Sequence, residues 1–257
     1  MKISIIIPVY NEFRTFNQVL ERVQRAPVPP GCSKEIIVVD DGSTDGTAQI
    51  MGEHARAGVI VGQHSETNFG KGTAIRAGIA VASGDIVIIQ DGDLEYDPND
   101  YARILEPIVN GEADVVYGSR FLGKPAGMAP KYRIANQILT AAANFLYGAH
   151  LTDEATAYKA FRVSLLRELH LGCQRFEFCP EVTAKLRRLN YPIHEVRISY
   201  NARGIAEGKK IRFRDGLEAL WTLLKYRLVP RRTLMREESA PALLAHRGYY
   251  GFPEVSR

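Results

Sequence analysis

Residues 86–93 read Ile86-Val87-Ile88-Ile89-Gln90-Asp91-Gly92-Asp93, an apolar run that ends in two carboxylates around a glycine. A short run of this kind, bounded by turn residues, predicts a buried strand. The glycine permits close backbone approach, so both carboxylates can point toward one place, where two anions require a cation between them. Hard oxygen ligands select Mg²⁺ or Mn²⁺, which are usually shared with substrate phosphates. A solvated turn is the alternative, because Asp and Gly are common turn formers.

The segments around this stretch alternate between strands and helices. Strands are predicted at residues 3–8, 35–40, 59–62, 85–90 and 114–118, and helices at 13–25, 44–57, 71–82 and 98–109. Repeated strand–helix units predict an α/β fold with a mostly parallel central sheet and helices on both faces. Ligands bind such sheets beyond the carboxyl ends of the strands, where the unusual residues of this chain cluster.

Two further polar groups follow predicted strands. Asp40, in Val38-Val39-Asp40-Asp41-Gly42-Ser43, suits a base or a ribose hydroxyl, whereas Asp45 is better explained as a helix cap. Lys71, in Asn68-Phe69-Gly70-Lys71-Gly72, opens a helix whose free N–H groups suit a phosphate or pyrophosphate. A glycine at a helix start also serves simply to ease the turn.

Composition sets limits on the class of protein. The 257 residues are 46% hydrophobic and 24% charged, which is enough for one large α/β domain or two small ones. A formal net charge of only +4 argues against a nucleic-acid binder. The cysteines, Cys32, Cys173 and Cys179, have no ligand-like spacing and are expected to be free thiols in a reducing compartment.

Two absences in the sequence bear on location. Residues 1–10 lack the features of a signal peptide, and no run reaches the roughly 18 apolar residues of a membrane span. We therefore expect a cytoplasmic protein whose membrane contact, if it has one, is peripheral and at the inner face.

Short motifs occur in a fixed order between residues 3 and 228: Ile7-Pro8-Val9-Tyr10-Asn11-Glu12, Val39-Asp40-Asp41-Gly42-Ser43-Thr44-Asp45-Gly46-Thr47, Gly70-Lys71-Gly72, Gln90-Asp91-Gly92-Asp93, Tyr117-Gly118-Ser119-Arg120, Tyr158-Lys159-Ala160-Phe161-Arg162, Pro180-Glu181-Val182-Thr183-Ala184-Lys185-Leu186 and Glu207-Gly208-Lys209-Lys210-Ile211. In this order they resemble glycosyltransferase family 2, and within it the dolichyl-phosphate (polyprenyl-phosphate) mannosyltransferase group. The resemblance implies a nucleotide-binding fold of the glycosyltransferase A type. It also implies an inverting sugar transfer that depends on Mg²⁺ or Mn²⁺.

The resemblance also suggests the domain organisation. A single catalytic domain is expected at residues 1–232, with the nucleotide-sugar half at about 1–120 and the acceptor side at about 121–232. Helices at 133–149, 181–189 and 215–228 and a strand at 193–200 are predicted for the acceptor side. The tail, residues 233–257, has weak periodicity and is expected to be irregular.

On the donor side, the resemblance assigns roles to individual residues. The positions near the base and ribose are matched by Pro8, Tyr10, Glu12 and Asp40, and Lys71 adds a cofactor-binding cation. The metal motif is matched by Asp91 and Asp93, with Glu95 as a further metal-side ligand. Basic residues that close over the diphosphate are matched by Arg203 and Lys209.

On the acceptor side, Arg120 and Arg133 match arginines that face an acceptor phosphate, where a guanidinium can bind two oxygens. A phosphate is already anionic and needs positioning more than a base. Asp153 matches a carboxylate proposed as a base in related transferases, but the following residues, Glu154-Ala155-Thr156-Ala157, depart from the family pattern. Asp153 therefore serves as a base, caps a helix or orients Arg120.

The resulting prediction is transfer of a sugar from a nucleotide diphosphate sugar to a polyprenyl or dolichyl phosphate. The first choice of sugar is mannose, with GDP-mannose as donor. UDP-glucose and UDP-N-acetylhexosamines are alternative donors. A transferase of the same fold that uses a UDP-sugar and a hydroxyl acceptor is the first rival, and it requires a base at Asp153. A sugar nucleotidyltransferase would release pyrophosphate instead. A non-catalytic binder is disfavoured by the intact pair Asp91 and Asp93, and the sequence leaves the oligomeric state open.

Membrane contact rests on an apolar stripe. Leu217, Leu220, Trp221, Leu224 and Leu228 recur at helical spacing and are followed by Lys225, Arg227, Arg231 and Arg232, which fits an interfacial helix. Packing against the catalytic domain explains the same stripe and is the favoured interpretation. The same choice applies to Ile138, Leu139, Phe145 and Leu146.

Overall fold

One mixed sheet organises the chain. The computed structural model describes residues 1–123, 127–202, 213–235 and 248–252, and within them eight strands follow the order β7-β5-β6-β4-β1-β2-β3-β8. The strands are β1 (Lys2–Val9), β2 (Ser33–Asp41), β3 (Val61–Ser65), β4 (Ile86–Ile89), β5 (Val115–Ser119), β6 (Lys159–Arg162), β7 (His194–Arg197) and β8 (Tyr250–Gly251). Within the group β1 to β4, every pair of neighbouring strands is parallel. Strand β7 is parallel to β5. The predicted mostly parallel α/β sheet is confirmed.

Helices cover both faces of this sheet. They are α1 (Phe16–Arg25), α2 (Thr47–Arg56), α3 (Lys71–Val81), α4 (Tyr101–Val109), α5 (Pro130–Tyr147), α6 (Val163–Glu168), α7 (Phe178–Arg188) and α8 (Phe213–Leu228). Short 3₁₀ turns occur at Pro98–Asp100 and Arg231–Thr233. Residues of α1, α2 and α4 join one core cluster, and residues of α3, α6 and α7 join the other.

Strand β1 shows why the sheet is covered on both sides. Its side chains alternate between faces, so Ile3, Ile5 and Ile7 pack in the first cluster while Ile6 packs in the second. All four are fully buried, and each contributes about 1.5–3 kcal/mol of hydrophobic stabilisation. This near-continuous apolar run is typical of a strand buried on both faces.

Strand β6 was not predicted, and α6 directly after it was not predicted either. β6 runs antiparallel between β4 and β5, so it interrupts the parallel order. Its first residue, Lys159, is fully buried with its ammonium 3.4 Å from the centroid of the Tyr117 ring. Because a lysine at such a place contradicts the usual apolar pattern, only the tertiary contacts reveal the strand.

Part of the C-terminal tail, which is expected to be irregular, adds a short strand to the sheet. Within the described residues 248–252, β8 pairs antiparallel with β3, aligning Gly251 with Gln63 and Tyr250 with His64. Two residues are too short for a periodic signal, and the pairing depends on a distant edge strand. The limits of the catalytic domain remain a prediction.

Helices α5, α7 and α8 pack against one another in the part of the chain predicted for the acceptor side. They pack around a small cluster made by Ala143, Ala184 and Leu223. In the part of the chain that the structure describes, no helix has both the length and the apolar character required to span a bilayer.

Candidate active site

The acidic turn predicted from the sequence lies at the carboxyl end of β4. A Cβ on Gly92 would come within 2.9 Å of Val9 Cγ1 and 3.1 Å of the Pro8 carbonyl oxygen, so the turn packs tightly against the end of β1. Asp93 accepts a hydrogen bond from the backbone N–H of Glu95 at 2.9 Å, which fixes the direction of the turn. Glycine is therefore required here by close approach, as its place in the motif predicts.

Lys71 meets this turn from the adjacent helix. It is the first residue of α3, and its ammonium forms an ion pair with the carboxylate of Asp91. Burial acts to lower the pKa of Lys71, but the charge and hydrogen bond of Asp91, together with the nearby Cys179 and Asp93, outweigh burial, so the pKa lies above its ordinary value. The N-terminus of a helix, a lysine and two carboxylates are thus brought together.

The donor set of this turn fits a hard divalent cation. Across residues 1–123, 127–202, 213–235 and 248–252, no three His, Cys, Asp or Glu side chains are grouped to hold a metal ion. Two carboxylates, Asp91 and Asp93, suit an ion that takes its remaining oxygens from a diphosphate and water, as Mg²⁺ does. The Glu95 side chain accepts a hydrogen bond from the Tyr200 hydroxyl at 2.9 Å, so its assignment as a third ligand remains a prediction.

At the end of β1, the residues predicted to lie near the nucleoside occupy different surroundings. Pro8 is buried within β1, while Tyr10 and Glu12 are partly exposed just beyond its end. The Glu12 carboxylate accepts a hydrogen bond from the Thr15 hydroxyl at 2.9 Å, and its carbonyl accepts from the N–H of Phe16 at 2.8 Å. Glu12 thus organises the start of α1 as well as the rim of the site.

The two aspartates that end β2 are both buried and bonded. Asp40 is fully buried and accepts hydrogen bonds from the Ser43 hydroxyl and from His64, whose Nδ1 lies 2.7 Å from Oδ2. The Asp41 carboxylate accepts from the N–H groups of Phe69 at 2.8 Å and of Gly70 at 2.7 Å. Asp40 therefore braces the turn after β2, and Asp41 braces the loop before α3. Contact of Asp40 with a nucleoside remains a prediction.

Arg120 and Asp153, both predicted to lie on the acceptor side, form one buried unit. The Arg120 guanidinium donates from Nε and Nη2 to the two oxygens of Asp153, each at 2.7 Å, and the Arg120 N–H adds a bond of 3.0 Å. Both residues are buried, with Asp153 fully so. Of the predicted roles for Asp153, orientation of Arg120 is the one that this geometry displays.

Tyr200, which sequence reasoning missed, connects the two sides. Its ring lies 5.1 Å from the Arg120 guanidinium carbon, and its hydroxyl donates to Glu95. Arg133, by contrast, lies on the exposed first turn of α5 and makes no ion pair among the described residues. Arg203 and Lys209 lie outside the described residues, which stop at Ala202 before this segment.

A buried polar layer below the Arg120–Asp153 pair was also missed. Glu154 and Lys159 are fully buried, and the Lys159 ammonium donates to the Glu154 carbonyl at 2.7 Å. Burial raises the pKa of Glu154 and lowers the pKa of Lys159. The lysine that interrupts the apolar run Tyr158-Lys159-Ala160-Phe161 is the one sequence signal for this layer, because lysine is almost never fully buried without a partner.

Comparison with known proteins connects this site to a family. Residues 4–170 match the family described as Glycosyl transferase family 2. The chain is 29% identical over 214 residues to dodecaprenyl-phosphate galacturonate synthase of Rhizobium johnstonii, a match that covers 79% of this chain and 60% of that protein. It is also 29% identical over 249 residues to UDP-N-acetylglucosamine–dolichyl-phosphate N-acetylglucosaminyltransferase of Methanococcus voltae, covering 88% of this chain and 96% of that protein.

A solved structure agrees with the fold. Glucosyl-3-phosphoglycerate synthase from Mycobacterium tuberculosis, in complex with Mn²⁺, UDP and glucosyl-3-phosphoglycerate, superposes with a TM-score of 0.66 at 23% identity, covering 89% of this chain and 81% of that chain. The glycosyltransferase A type of fold expected from the sequence is confirmed.

Proposed function

Because the chain belongs to glycosyltransferase family 2, we propose that it transfers a sugar from a nucleoside diphosphate sugar to a polyprenyl phosphate. The observation that carries the proposal is the buried bidentate pair of Arg120 with Asp153, which Tyr200 links to Glu95, two residues after Asp93. The names of the Rhizobium and Methanococcus relatives both include a polyprenyl-type phosphate, dodecaprenyl or dolichyl phosphate, which supports the acceptor class.

The donor side follows from the residues at the end of β4. Asp91 and Asp93 would hold Mg²⁺ or Mn²⁺, which supplies charge neutralisation to the departing diphosphate. Lys71 adds a positive charge at the same place. The first N–H groups of α3, expected from the sequence to suit phosphate oxygens, are instead partly used within the fold, because the Thr73 N–H donates to the Gln174 carbonyl at 2.9 Å. Arg203 and Lys209 are proposed to add further positive charge over the diphosphate.

The acceptor side distinguishes a phosphate from a hydroxyl. A hydroxyl acceptor needs a base within hydrogen-bond reach, and Asp153 is the predicted candidate. Both oxygens of Asp153 are occupied by Arg120, and the residue is fully buried. An acceptor phosphate is ionised at neutral pH and requires only positive groups, so Arg120 and Arg133 are proposed to orient it.

The donor is the open part of this proposal. The sequence resemblance favours mannose from GDP-mannose, whereas the two relatives are named for galacturonate and N-acetylglucosamine. The name of the Methanococcus relative includes a UDP-sugar, UDP-N-acetylglucosamine. We therefore place GDP-mannose, UDP-N-acetylglucosamine and UDP-galacturonate in one donor panel.

The experiment combines this donor panel with undecaprenyl phosphate and Mn²⁺ and identifies the products by mass spectrometry. One donor is expected to yield a glycosyl phospholipid and a free nucleoside diphosphate. In parallel reactions, glycosylation of a hydroxyl-bearing saccharide in preference to undecaprenyl phosphate would contradict the proposal. Release of pyrophosphate when a nucleoside triphosphate and a sugar phosphate replace the donor would contradict it as well. The anomeric configuration of the product then tests inversion.

A matched pair of variants tests the metal assignment. Asp93→Asn is expected to lower kcat/KM about a hundredfold or more, because the charge that balances the leaving diphosphate is lost. It should also abolish the metal-dependent thermal stabilisation by the donor, which is about 2.7 kcal/mol at 100 times the Kd. Asp97→Asn is the control, since Asp97 accepts from the Asn99 N–H at 3.1 Å and caps a short turn nearby. Equal donor stabilisation in Asp93→Asn and wild type would exclude this metal site.

A further inference from the structure

A short C-terminal segment, residues 248–252, returns to the donor side of the sheet, and we call it the return segment. It includes β8, which adds an antiparallel edge next to β3. Of its aromatic residues, Tyr249 contacts Asp41, whereas Tyr250 and Phe252 contact His64. The mechanism proposed above does not use this segment.

Tyr249 makes the central contact of the return segment. Its hydroxyl donates a hydrogen bond of 2.5 Å to Oδ1 of Asp41, and its ring lies 5.9 Å from the ring of Phe69. Burial and the neighbouring Asp41 raise the pKa of Tyr249 far above its ordinary value, so the hydroxyl stays protonated and remains a donor.

Asp41 transmits this contact to the donor site. The carboxylate is 3% exposed and accepts from two backbone N–H groups, those of Phe69 and Gly70, as well as from Tyr249. Lys71 directly follows Gly70 in the chain, and its ammonium pairs with Asp91. A continuous series of hydrogen bonds and covalent links therefore joins the return segment to the acidic turn.

A second contact connects the return segment to Asp40. The His64 ring lies 5.5 Å from the Tyr250 ring and 5.9 Å from the Phe252 ring, while its Nδ1 contacts Asp40 at 2.7 Å. Phe252 also covers β3 closely, because a Cβ on Gly62 would lie 2.8 Å from its ring. The return segment thus contacts Asp41 directly, through Tyr249, and Asp40 indirectly, through His64.

We infer that Tyr249 is a positioning residue for nucleoside diphosphate binding, because through Asp41 it holds the loop that presents Lys71 to Asp91. The inference rests on the proposed function, since it concerns the donor site of that reaction. Tyr249 acts through Asp41 and is not assigned a contact with the nucleotide. Loss of its hydroxyl is expected to weaken the affinity for the donor and to leave the affinity for the acceptor unchanged.

The test compares two neighbouring tyrosines in the full chain. Tyr249→Phe removes the hydroxyl that donates to Asp41, whereas Tyr250→Phe removes one that donates to Glu66 at 3.3 Å on the surface. Calorimetric Kd values are measured for UDP and for GDP, each with Mn²⁺. For the nucleotide that wild type binds, we expect Tyr249→Phe to raise the Kd about tenfold and Tyr250→Phe to leave it unchanged.

Two additional readouts separate positioning from general loss of structure. The melting temperature of Tyr249→Phe should stay near that of wild type, and in turnover assays its KM for the donor should rise while its KM for the polyprenyl phosphate stays constant. In an Asp41→Ala background, Tyr249→Phe should add no further loss, because Asp41→Ala already removes the acceptor of the Tyr249 hydrogen bond.

Three results would overturn the inference alone: an unchanged Kd in Tyr249→Phe, a tighter Kd, or an equal loss in Tyr250→Phe. A tighter Kd would mean that Tyr249 obstructs the nucleotide. A wild-type chain that binds neither UDP nor GDP would overturn the proposed function, and this inference with it.

Discussion

Arg120 and Asp153 form a buried ion pair in which each charge depends on the other. Such a pair contributes little net stability, because desolvation offsets the attraction, but removing one partner leaves the other charge uncompensated. With three hydrogen bonds between the two residues, the pair is well satisfied in the folded chain. The arrangement suits a site in which an arginine must keep one orientation before the acceptor arrives.

At this scale we predict the effect of neutralising one partner. Asp153→Asn should lower the free energy of unfolding by about 3 kcal/mol, because Arg120 stays buried without its carboxylate. Urea denaturation at neutral pH measures the change. Asp114→Asn is the control, because Asp114 pairs with Arg162 at 2.8 Å in a partly exposed setting that is worth about 1 kcal/mol or less. Equal losses in the two variants would mean that the Arg120–Asp153 pair has no special dependence on burial.

At the scale of elements, a carboxylate ties three segments together at the end of the sheet opposite the site. Glu35 of β2 pairs with Lys2 of β1 at 2.6 Å and accepts hydrogen bonds from Ser4 and from Ser83 in the loop before β4. Burial acts to raise the pKa of Glu35, but these donors outweigh it and lower the pKa from 4.5 to about 2. A carboxyl with a depressed pKa stabilises the fold above its unfolded pKa, and that stability is lost as the pH falls.

This shift predicts a pH dependence of stability. Between pH 4.5 and about 2, wild type should lose the contribution of Glu35, so its unfolding free energy should fall more steeply than that of Glu35→Gln. Urea unfolding followed by circular dichroism over this range measures both slopes. Glu21→Gln, which alters an exposed pair with Arg25 on α1, should retain the wild-type slope. Parallel curves for wild type and Glu35→Gln would contradict the assignment.

At the scale of the whole molecule, helices α5 and α8 pack against each other and both carry exposed apolar side chains, which we call together the α5–α8 face. Its exposed side chains are Ile134, Ile138, Phe145, Phe213, Leu217, Trp221, Leu224 and Leu228. Phe145 is 89% exposed and Trp221 is 64% exposed. Packing within the described residues, which was the favoured explanation of this apolar stripe, therefore does not account for it. Basic residues at the end of α8 lie next to it, which favours contact with anionic lipid headgroups.

We therefore predict that the α5–α8 face mediates peripheral membrane binding. A double variant, Phe145→Ser with Trp221→Ser, should lower partitioning onto phosphatidylglycerol vesicles about tenfold or more, since each large apolar side chain contributes about 1.5–3 kcal/mol when buried. Vesicle cosedimentation measures the partitioning. Val81→Ser, at the exposed end of α3, is the control and should have no effect. Undiminished binding of the double variant would exclude this face.

The sequence by itself determined the strands β1, β2 and β4, the helices between them, and the carboxylates and lysine at the strand ends. Those features depend on side-chain periodicity and on local turn chemistry, both of which can be recognised from residues adjacent in the sequence. Tertiary structure alone decided the insertion of β6, the occupation of Asp153 by Arg120, the bonding of Asp40 to His64, and the return of Tyr249 to Asp41. These depend on desolvation and hydrogen bonding between residues far apart in the chain, and no local pattern specifies which distant partner a buried polar group will find.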